Sequence, residues 1–266
     1  MSDILAKIID TKKKEVTRRK KTTPLNILED SIYSSPKPRG FKKNLLRTIA
    51  QGKPAIIAEC KKASPSKGII CHSYNPTDIA RQYQANGASC ISVLTDINYF
   101  LGSDHDIEAA KTACNLPILR KDFMIDPYQI IESRKLGADC ILLIVACLTV
   151  SQIRELASIS YSLGMDVLVE AHNRKEVEIA MTVPDAIIGI NNRNLKTFET
   201  DINTSIELKK LVPKSTLMVA ESGILSSGDV ALLLKEDINA FLVGEAFMKS
   251  DQPGEALSKL FNLNTI

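Results

Sequence analysis

The sequence contains no tryptophan, an absence that excludes no class of protein, and it contains no CxxC pair of cysteines. No histidine lies at metal-ligand spacing from a cysteine, so a zinc site of cysteines and histidines is not indicated. Cys90 and Cys140 fall inside apolar runs, where a free thiol packs as a small hydrophobic group. We therefore expect reduced cysteines and a cytoplasmic protein. The full set is Cys60, Cys71, Cys90, Cys114, Cys140 and Cys147.

Long apolar segments and strong net charge are also missing. No stretch of the 266 residues is long and apolar enough to predict a membrane span. The N-terminal sequence MSDILAKIIDTKKKEV lacks the apolar core of a secretory signal. A net charge of +3 is too small to indicate nucleic acid but is compatible with an anionic small molecule. We expect a monomer with neither a nucleic-acid nor a membrane partner.

Residues 1–45 differ in composition from the rest of the chain. Two basic runs, 12–14 and 18–21, raise the possibility of a nucleic-acid-binding tail. A solvated basic helix face with an apolar opposite side is the interpretation we favour. The apolar side is formed by Ile4, Leu5, Ile8, Ile9 and Val16. We predict a helical extension that packs on the main domain.

From residue 54 onward, short apolar runs alternate with helical stretches. The runs have the length and composition of strands buried on both faces. They lie at 55–58, 90–94, 117–120, 140–144, 167–169, 186–190, 217–220 and 240–243. Asn75-Pro76 and Asp126-Pro127 are typical helix starts, and Gly87, Gly137 and Gly164 are typical helix ends.

Strands that alternate with helices indicate a parallel sheet. Eight such units favour a closed barrel over an open doubly wound sheet, and no GxGxxG motif follows the first strand. The predicted fold class is α/β, a (β/α)8 TIM barrel with an N-terminal helical extension. One barrel domain is expected across residues 1–266, with residues 1–45 as the extension packed on it.

Ionisable and amide side chains follow several of the predicted strands. In this fold the active site lies at the C-terminal strand ends, where such side chains converge. Each alone is more often a solvated or ion-paired residue, and a ring of structural salt bridges is the alternative for the set. Together they can provide a general acid and a general base. The candidates are Glu59, Lys61, Lys121, Glu170, Asn191 and Glu221.

His172 follows Glu170 by two residues, which raises the possibility of a His–Glu relay. No nucleophile pattern lies nearby, so we favour a supporting role for this histidine.

Two further groups of residues lie near the same strand ends. Ser222-Gly223 and Gly244-Glu245 follow strands seven and eight, the usual phosphate-binding position in this fold. The alternative is that both glycines are ordinary turn residues. Four apolar residues are equally typical of a pocket that binds a planar ring and of an ordinary hydrophobic core. These four are Phe100, Phe123, Leu195 and Leu242.

Several segments resemble the indole-3-glycerol phosphate synthase family. The most specific segment is ECKKASPSKG at 59–68. The resemblance continues in the expected order over nearly the whole chain, including the N-terminal extension. The other segments are SVLTD at 92–96, YFLGS at 99–103, LRKDF at 119–123, IDPYQI at 125–130, VE at 169–170, GINNRNL at 189–195 and AESGI at 220–224.

This resemblance implies closure of the indole ring of carboxyphenylamino-deoxyribulose phosphate, with loss of carbon dioxide and water. It implies neither a metal nor an organic cofactor. Lys121 would be the general acid, and Glu170, held near Asn191, would be the acid or base of the later steps. Lys61 would pair with the substrate carboxylate, and Glu59 would assist dehydration or bind a sugar hydroxyl.

The resemblance also implies a set of substrate contacts. Ser64 and Arg193 would bind the substrate. Some family members carry serine at position 245, so the carboxylate of Glu245 is expected to point away from the phosphate. The residues implied to hold the phosphate are Ser222, Gly223, Gly244 and Glu245. Those implied to line the anthranilate pocket are Phe100, Phe123, Leu142, Leu195 and Leu242.

Two other functions compete with this one. Phosphoribosylanthranilate isomerase, a barrel enzyme of the same pathway, needs a cysteine base on the first strand and a distant aspartate acid. Cys60 lies there but alternates with Glu59 and Lys61, so it should point away from the mouth. A non-catalytic phosphate-ligand binding protein would need neither Lys121 nor Glu170.

Overall fold

Eight parallel strands close into a barrel in the computed structural model, which describes residues 3–32 and 35–263. Each strand pairs with the next along the chain, and the eighth pairs with the first. The strands are β1 Ala55–Cys60, β2 Cys90–Leu94, β3 Ile118–Lys121, β4 Cys140–Ile144, β5 Asp166–Ala171, β6 Ile187–Asn191, β7 Met218–Glu221 and β8 Ala240–Val243. The predicted barrel is confirmed, and every predicted strand is present to within about two residues at either end.

Helices fill the intervals between the strands. They are α1 Asp3–Thr22, α2 Leu25–Ile32, α3 Phe41–Ala50, α4 Pro76–Ala85, α5 Ile97–Phe100, α6 Asp104–Ala113, α7 Pro127–Lys135, α8 Val150–Ser162, α9 Arg174–Ala180, α10 Asn203–Lys209, α11 Ser227–Lys235, α12 Glu245–Met248 and α13 Pro253–Leu260. A 3₁₀ turn spans Val145–Cys147. Within the described ranges no helix combines the length and apolar character needed to cross a membrane.

A short antiparallel hairpin of Ala63–Ser64 and Gly68–Ile69 follows β1 and was not predicted. Its two-residue strands are too short to show the alternation that identifies a strand in a sequence.

The predicted helix starts at the Asn-Pro and Asp-Pro pairs and the predicted helix ends at three glycines are confirmed. The side chain of Asn75 accepts hydrogen bonds from the first turn of α4, and the side chain of Asp126 does the same for α7. Proline occupies the first helical position in both. Gly87, Gly137 and Gly164 have φ of 94°, 88° and 78°, a region that glycine enters without steric cost.

The strands separate two apolar layers because successive side chains point to opposite faces. In β1, Ile57 packs inside the barrel, whereas Ile56 and Cys60 face the surrounding helices. Phe41 and Leu45 of α3 close the N-terminal end of the barrel interior. Cys60 therefore points away from the C-terminal mouth, as predicted.

The prediction of a solvated basic face on α1 is wrong for two of its residues. Lys12 is 1% exposed, and its Nζ lies 3.1 Å from Asp96 and 2.8 Å from Asp122. Arg19 pairs with Glu132 of α7 at 2.9 Å. Buried charges need such partners because desolvation is costly. These two cations therefore dock α1 onto the barrel, beside its buried apolar residues.

A second arginine shares the partners of Arg19. Arg120 of β3 is 1% exposed and lies 2.9 Å from both Asp104 and Glu132. Arg19 contacts the same two carboxylates from the other side. The two guanidinium groups and the two carboxylates thus neutralise each other in one partly buried network that joins α1, α6, α7 and β3.

Candidate active site

The C-terminal ends of the strands surround a cavity of about 270 Å³. Every residue proposed from the sequence as catalytic or substrate-binding lines it. The alternation of strand side chains and the placement of loops at one end of the barrel account for this convergence.

A lysine lies among three buried carboxylates at the centre of the cavity. Nζ of Lys121 lies 3.4 Å from Glu170 Oε2 and 3.9 Å from Glu221 Oε2. Nearby, Lys61 Nζ donates a hydrogen bond to Glu59 Oε1 at 2.7 Å. The three glutamates are at most 4% exposed. Burial strengthens these charge interactions because water is excluded.

The environments of the two glutamates beside Lys121 drive their pKa values apart. Burial disfavours the charged form of Glu170, but Lys121 and His172 outweigh it and lower the pKa of Glu170. Burial and the neighbouring charge of Glu170 raise the pKa of Glu221. Burial also opposes the charge of Lys121, but the carboxylates raise its pKa. The two carboxyl groups beside Lys121 therefore lose their protons at different pH, Glu170 before Glu221.

We expect the raised pKa of Glu221 to make the folded protein less stable as the pH rises above the ordinary glutamate value of 4.5. The folded state then holds a proton that the unfolded state has lost, so the free energy of unfolding decreases with pH. Glu221→Gln should remove this decrease between about pH 5 and about pH 8. Urea unfolding at several pH values measures it, with the exposed Glu255→Gln as control. An unchanged pH slope in Glu221→Gln would contradict the assignment.

Two side chains hold Glu170 from the side opposite Lys121. Asn191 Nδ2 donates to Glu170 Oε1 at 3.2 Å. His172 lies with Nε2 3.3 Å from the same oxygen and Nδ1 3.0 Å from Glu176 Oε2. Burial opposes protonation of His172, but the two glutamates outweigh it and raise its pKa to about 10. The raised pKa favours the imidazolium form of His172 between Glu170 and Glu176, and its supporting role stays a prediction.

Two glycines leave the space that these carboxylates occupy. A Cβ at Gly189 would collide with Glu221 Oε1, and a Cβ at Gly244 would lie 2.6 Å from Glu59 Oε1. No side chain other than hydrogen fits at either position without displacing a glutamate.

Apolar side chains form one wall of the cavity. The rings of Phe100 and Phe123 lie 6.2 Å apart between centroids, tilted by 41°. Leu142 and Leu242 reach the cavity from the barrel interior, and Leu195 lines it from the loop after β6. Such a wall suits a planar ring, since apolar surface buried there leaves water.

The loop after β7 has a strained backbone. Ser222 has φ 57° and Gly223 has φ 74°, and the first is a costly conformation for a residue other than glycine. Asn192 Nδ2 donates to the carbonyl oxygen of Ser222 at 3.0 Å, and Asn192 Oδ1 accepts from Ser205 Oγ at 2.7 Å. These bonds hold the loop in place at the edge of the cavity.

Glu245 is surrounded by cations. Arg193 Nη2 lies 3.3 Å from Oε2, while Lys249 Nζ lies 2.9 Å from Oε1 and Lys67 also pairs with Oε1. Burial opposes ionisation, but the hydrogen bonds from Lys249 and Lys67 lower the pKa of Glu245 to about 2. Its carboxylate is therefore ionised and fully engaged.

Sequence reasoning missed some of the residues that line the cavity. Ile4, Leu5 and Ile8 of α1 lie over its mouth, and Lys67 reaches it from the hairpin. The apolar side of α1 was visible in the sequence, but the surface that it covers depends on tertiary packing. Lys67 belongs to the segment 59–68, and its contact with Glu245 joins residues far apart in the chain.

An eight-stranded barrel with a lysine and buried carboxylates gathered at its C-terminal mouth is the arrangement of a TIM-barrel enzyme. The sequence profile of indole-3-glycerol phosphate synthase matches residues 5–260. The indole-3-glycerol phosphate synthase of Polynucleobacter asymbioticus is 51% identical over 266 residues, covering 98% of this chain and 100% of the relative. The chain belongs to the indole-3-glycerol phosphate synthase family and is a lyase of tryptophan biosynthesis.

Solved structures share the fold at low identity. The tryptophan synthase α subunit of Legionella pneumophila has a TM-score of 0.63 at 12% identity and covers 87% of this chain and 100% of its own. The 3-hexulose-6-phosphate synthase of Salmonella typhimurium also has a TM-score of 0.63, at 13% identity, and covers 79% of this chain and 97% of its own. At such identities the likeness concerns the barrel alone.

Proposed function

We propose that the cluster at the barrel mouth closes the indole ring of carboxyphenylamino-deoxyribulose phosphate, with loss of carbon dioxide and water. The observation that carries this proposal is the position of Lys121, whose Nζ lies within 4 Å of the buried Glu170 and Glu221 in the cavity. A lysine held there can deliver a proton to an oxygen at which charge develops.

In the first step the aryl carbon attacks the substrate carbonyl carbon. Lys121 donates its proton to the carbonyl oxygen as the carbon–carbon bond forms, so no free alkoxide accumulates. Lys61 pairs with the substrate carboxylate. When carbon dioxide leaves, the electron pair of the broken bond restores the aromatic ring.

In the second step the hydroxyl group made in the first leaves as water. Glu170 accepts the proton lost from the substrate, oriented for this by Asn191 at 3.2 Å. Glu59 assists the departure of the hydroxyl or binds a sugar hydroxyl. Lys61, whose Nζ donates to Glu59 Oε1 at 2.7 Å, supplies the proton with which the hydroxyl leaves as water.

The two ends of the substrate bind in different surroundings. The aromatic ring packs against the wall that contains Phe100 and Phe123, where its apolar faces leave water. The phosphate group binds beside Ser222, Gly223 and Gly244, largely through backbone N–H groups. Ser64, Arg193 and Glu245 complete the surroundings of the substrate.

Purified protein is expected to convert this substrate into a fluorescent indole product over many turnovers. Emission is followed after mixing, with Lys61→Met as a variant expected to be slow. One equivalent of bound ligand without product would instead indicate a binding protein. Isomerase activity is not expected, because Cys60 faces the helices. Failure to form indole would contradict the proposal.

We further propose a monomeric, cytoplasmic protein. Its six cysteines are all free, as in a reducing compartment. The exposed large hydrophobic residues are distributed over several elements, as is usual for a monomer. Sedimentation equilibrium measures the mass in solution.

A further inference from the structure

A carboxylate lies where the proposed function expects a phosphate group. Glu245 follows Gly244 directly after β8 and lines the cavity, with its side chain 13% exposed. A phosphate site usually presents cations and N–H groups to its ligand. An acidic side chain there would repel the ligand unless other charges neutralise it.

Three cations from three segments neutralise Glu245. Lys67 lies in the turn of the hairpin, Arg193 follows β6, and Lys249 follows α12. Lys67 and Lys249 contact Oε1, whereas Arg193 contacts Oε2. Both oxygens of the carboxylate are therefore occupied by separate parts of the chain.

Of the three cations around Glu245, Lys67 and Arg193 are the two that a ligand in the cavity can reach. Both line the cavity, whereas Lys249 does not. In the part of the chain that the structure describes, Glu245 is the one carboxylate within 4.0 Å of either. If Glu245 moved, both cations would be left without an acidic partner.

We propose that Glu245 is an internal counter-ion of the phosphate site. Its carboxylate occupies Lys67 and Arg193 in the free protein, and the phosphate group of the substrate displaces it from them. The inference rests on the proposed function for the identity of the ligand.

The charges explain why a phosphate group can displace Glu245. A phosphate monoester carries about two negative charges near neutral pH, and a carboxylate carries one. Arginine also binds phosphate through two parallel hydrogen bonds. Lys249 stays within reach of Glu245 after displacement, at 2.9 Å in the free state. Glu245 thus lowers the affinity of the site for singly charged anions and favours a ligand with two negative charges.

The test is the affinity for inorganic phosphate, measured by titration calorimetry on the wild-type protein and on Glu245→Gln. The amide keeps the shape of the side chain but removes the competing charge. We expect Glu245→Gln to bind phosphate roughly threefold to tenfold more tightly. Removing the competition of partly exposed ion pairs changes a binding free energy by about this much. The matched control is Glu255→Gln, which removes a carboxylate 3.9 Å from Lys259 on α13, and it should bind phosphate like the wild type.

Unchanged or weaker phosphate binding in Glu245→Gln would overturn the inference. Lys67→Met gives a second, independent test, because it removes a proposed phosphate partner and should weaken binding. Unchanged binding in that variant would also overturn it. Calorimetry does not depend on turnover. If the wild-type protein forms no indole but Glu245→Gln binds phosphate more tightly, the proposed function fails and the counter-ion role stands.

Discussion

Lys121→Ala is expected to slow indole formation by about 10²- to 10⁴-fold, the usual contribution of a positioned general acid. The substrate carbonyl oxygen would then have no proton donor as the ring closes. The loss should fall on kcat more than on KM, since the contact strengthens as charge develops. Initial rates at several substrate concentrations separate the two.

Two controls separate chemistry from folding. Lys121→Met keeps most of the volume and should be equally slow. Lys259→Ala, at an exposed side chain of α13, should be as active as the wild type. Urea unfolding of each variant shows whether the cluster of Glu170 and Glu221 tolerates the loss of its cation. Closure at the normal rate in Lys121→Ala would mean that the acid has been assigned wrongly.

Lys12→Met is expected to lower the free energy of unfolding by about 3–5 kcal/mol, because it leaves buried carboxylates without their cation. Asp96 and Asp122 lie 3.1 Å and 2.8 Å from Lys12 Nζ. Burial opposes ionisation of Asp122, but Lys12 and Arg120 outweigh it and lower its pKa to about 2. Without Lys12 that carboxylate must stay buried with less compensation or take up a proton.

Lys13→Met, on the next residue of α1, is the matched control. Its side chain is 66% exposed and lies 3.8 Å from Asp10, so the change should cost less than about 1 kcal/mol. Both variants are unfolded in urea at neutral pH. Equal stabilities of the two variants would show that the buried contacts of Lys12 contribute nothing to docking α1.

The barrel and its mouth could be predicted because they depend on local patterns. Strands buried on both faces leave short apolar runs, and glycines such as Gly137 mark the turns between helix and strand. Once the strands were placed, alternation predicted that Glu59 would face the mouth and Cys60 the helices, and the structure has this arrangement.

The ion pairs could not be predicted because they join distant segments. Helical spacing places Lys12 on the same face as Ile8 and Val16, but it does not indicate which buried carboxylates would receive a charged group there. The same holds for the contact between Lys67 and Glu245. Helical periodicity predicts which residues of α1 share a face, but not which charged groups of the barrel that face meets.

The glycines at positions 189 and 244 also limit how the mouth could be redesigned. A variant library aimed at a new substrate should hold both fixed, since a methyl group at either would displace an acidic side chain that the reaction is proposed to use. Positions such as Leu195, which adds apolar surface from a loop, are better choices for randomisation. Substrate scope could then change in the loops while the acid–base groups on the strands stay in place.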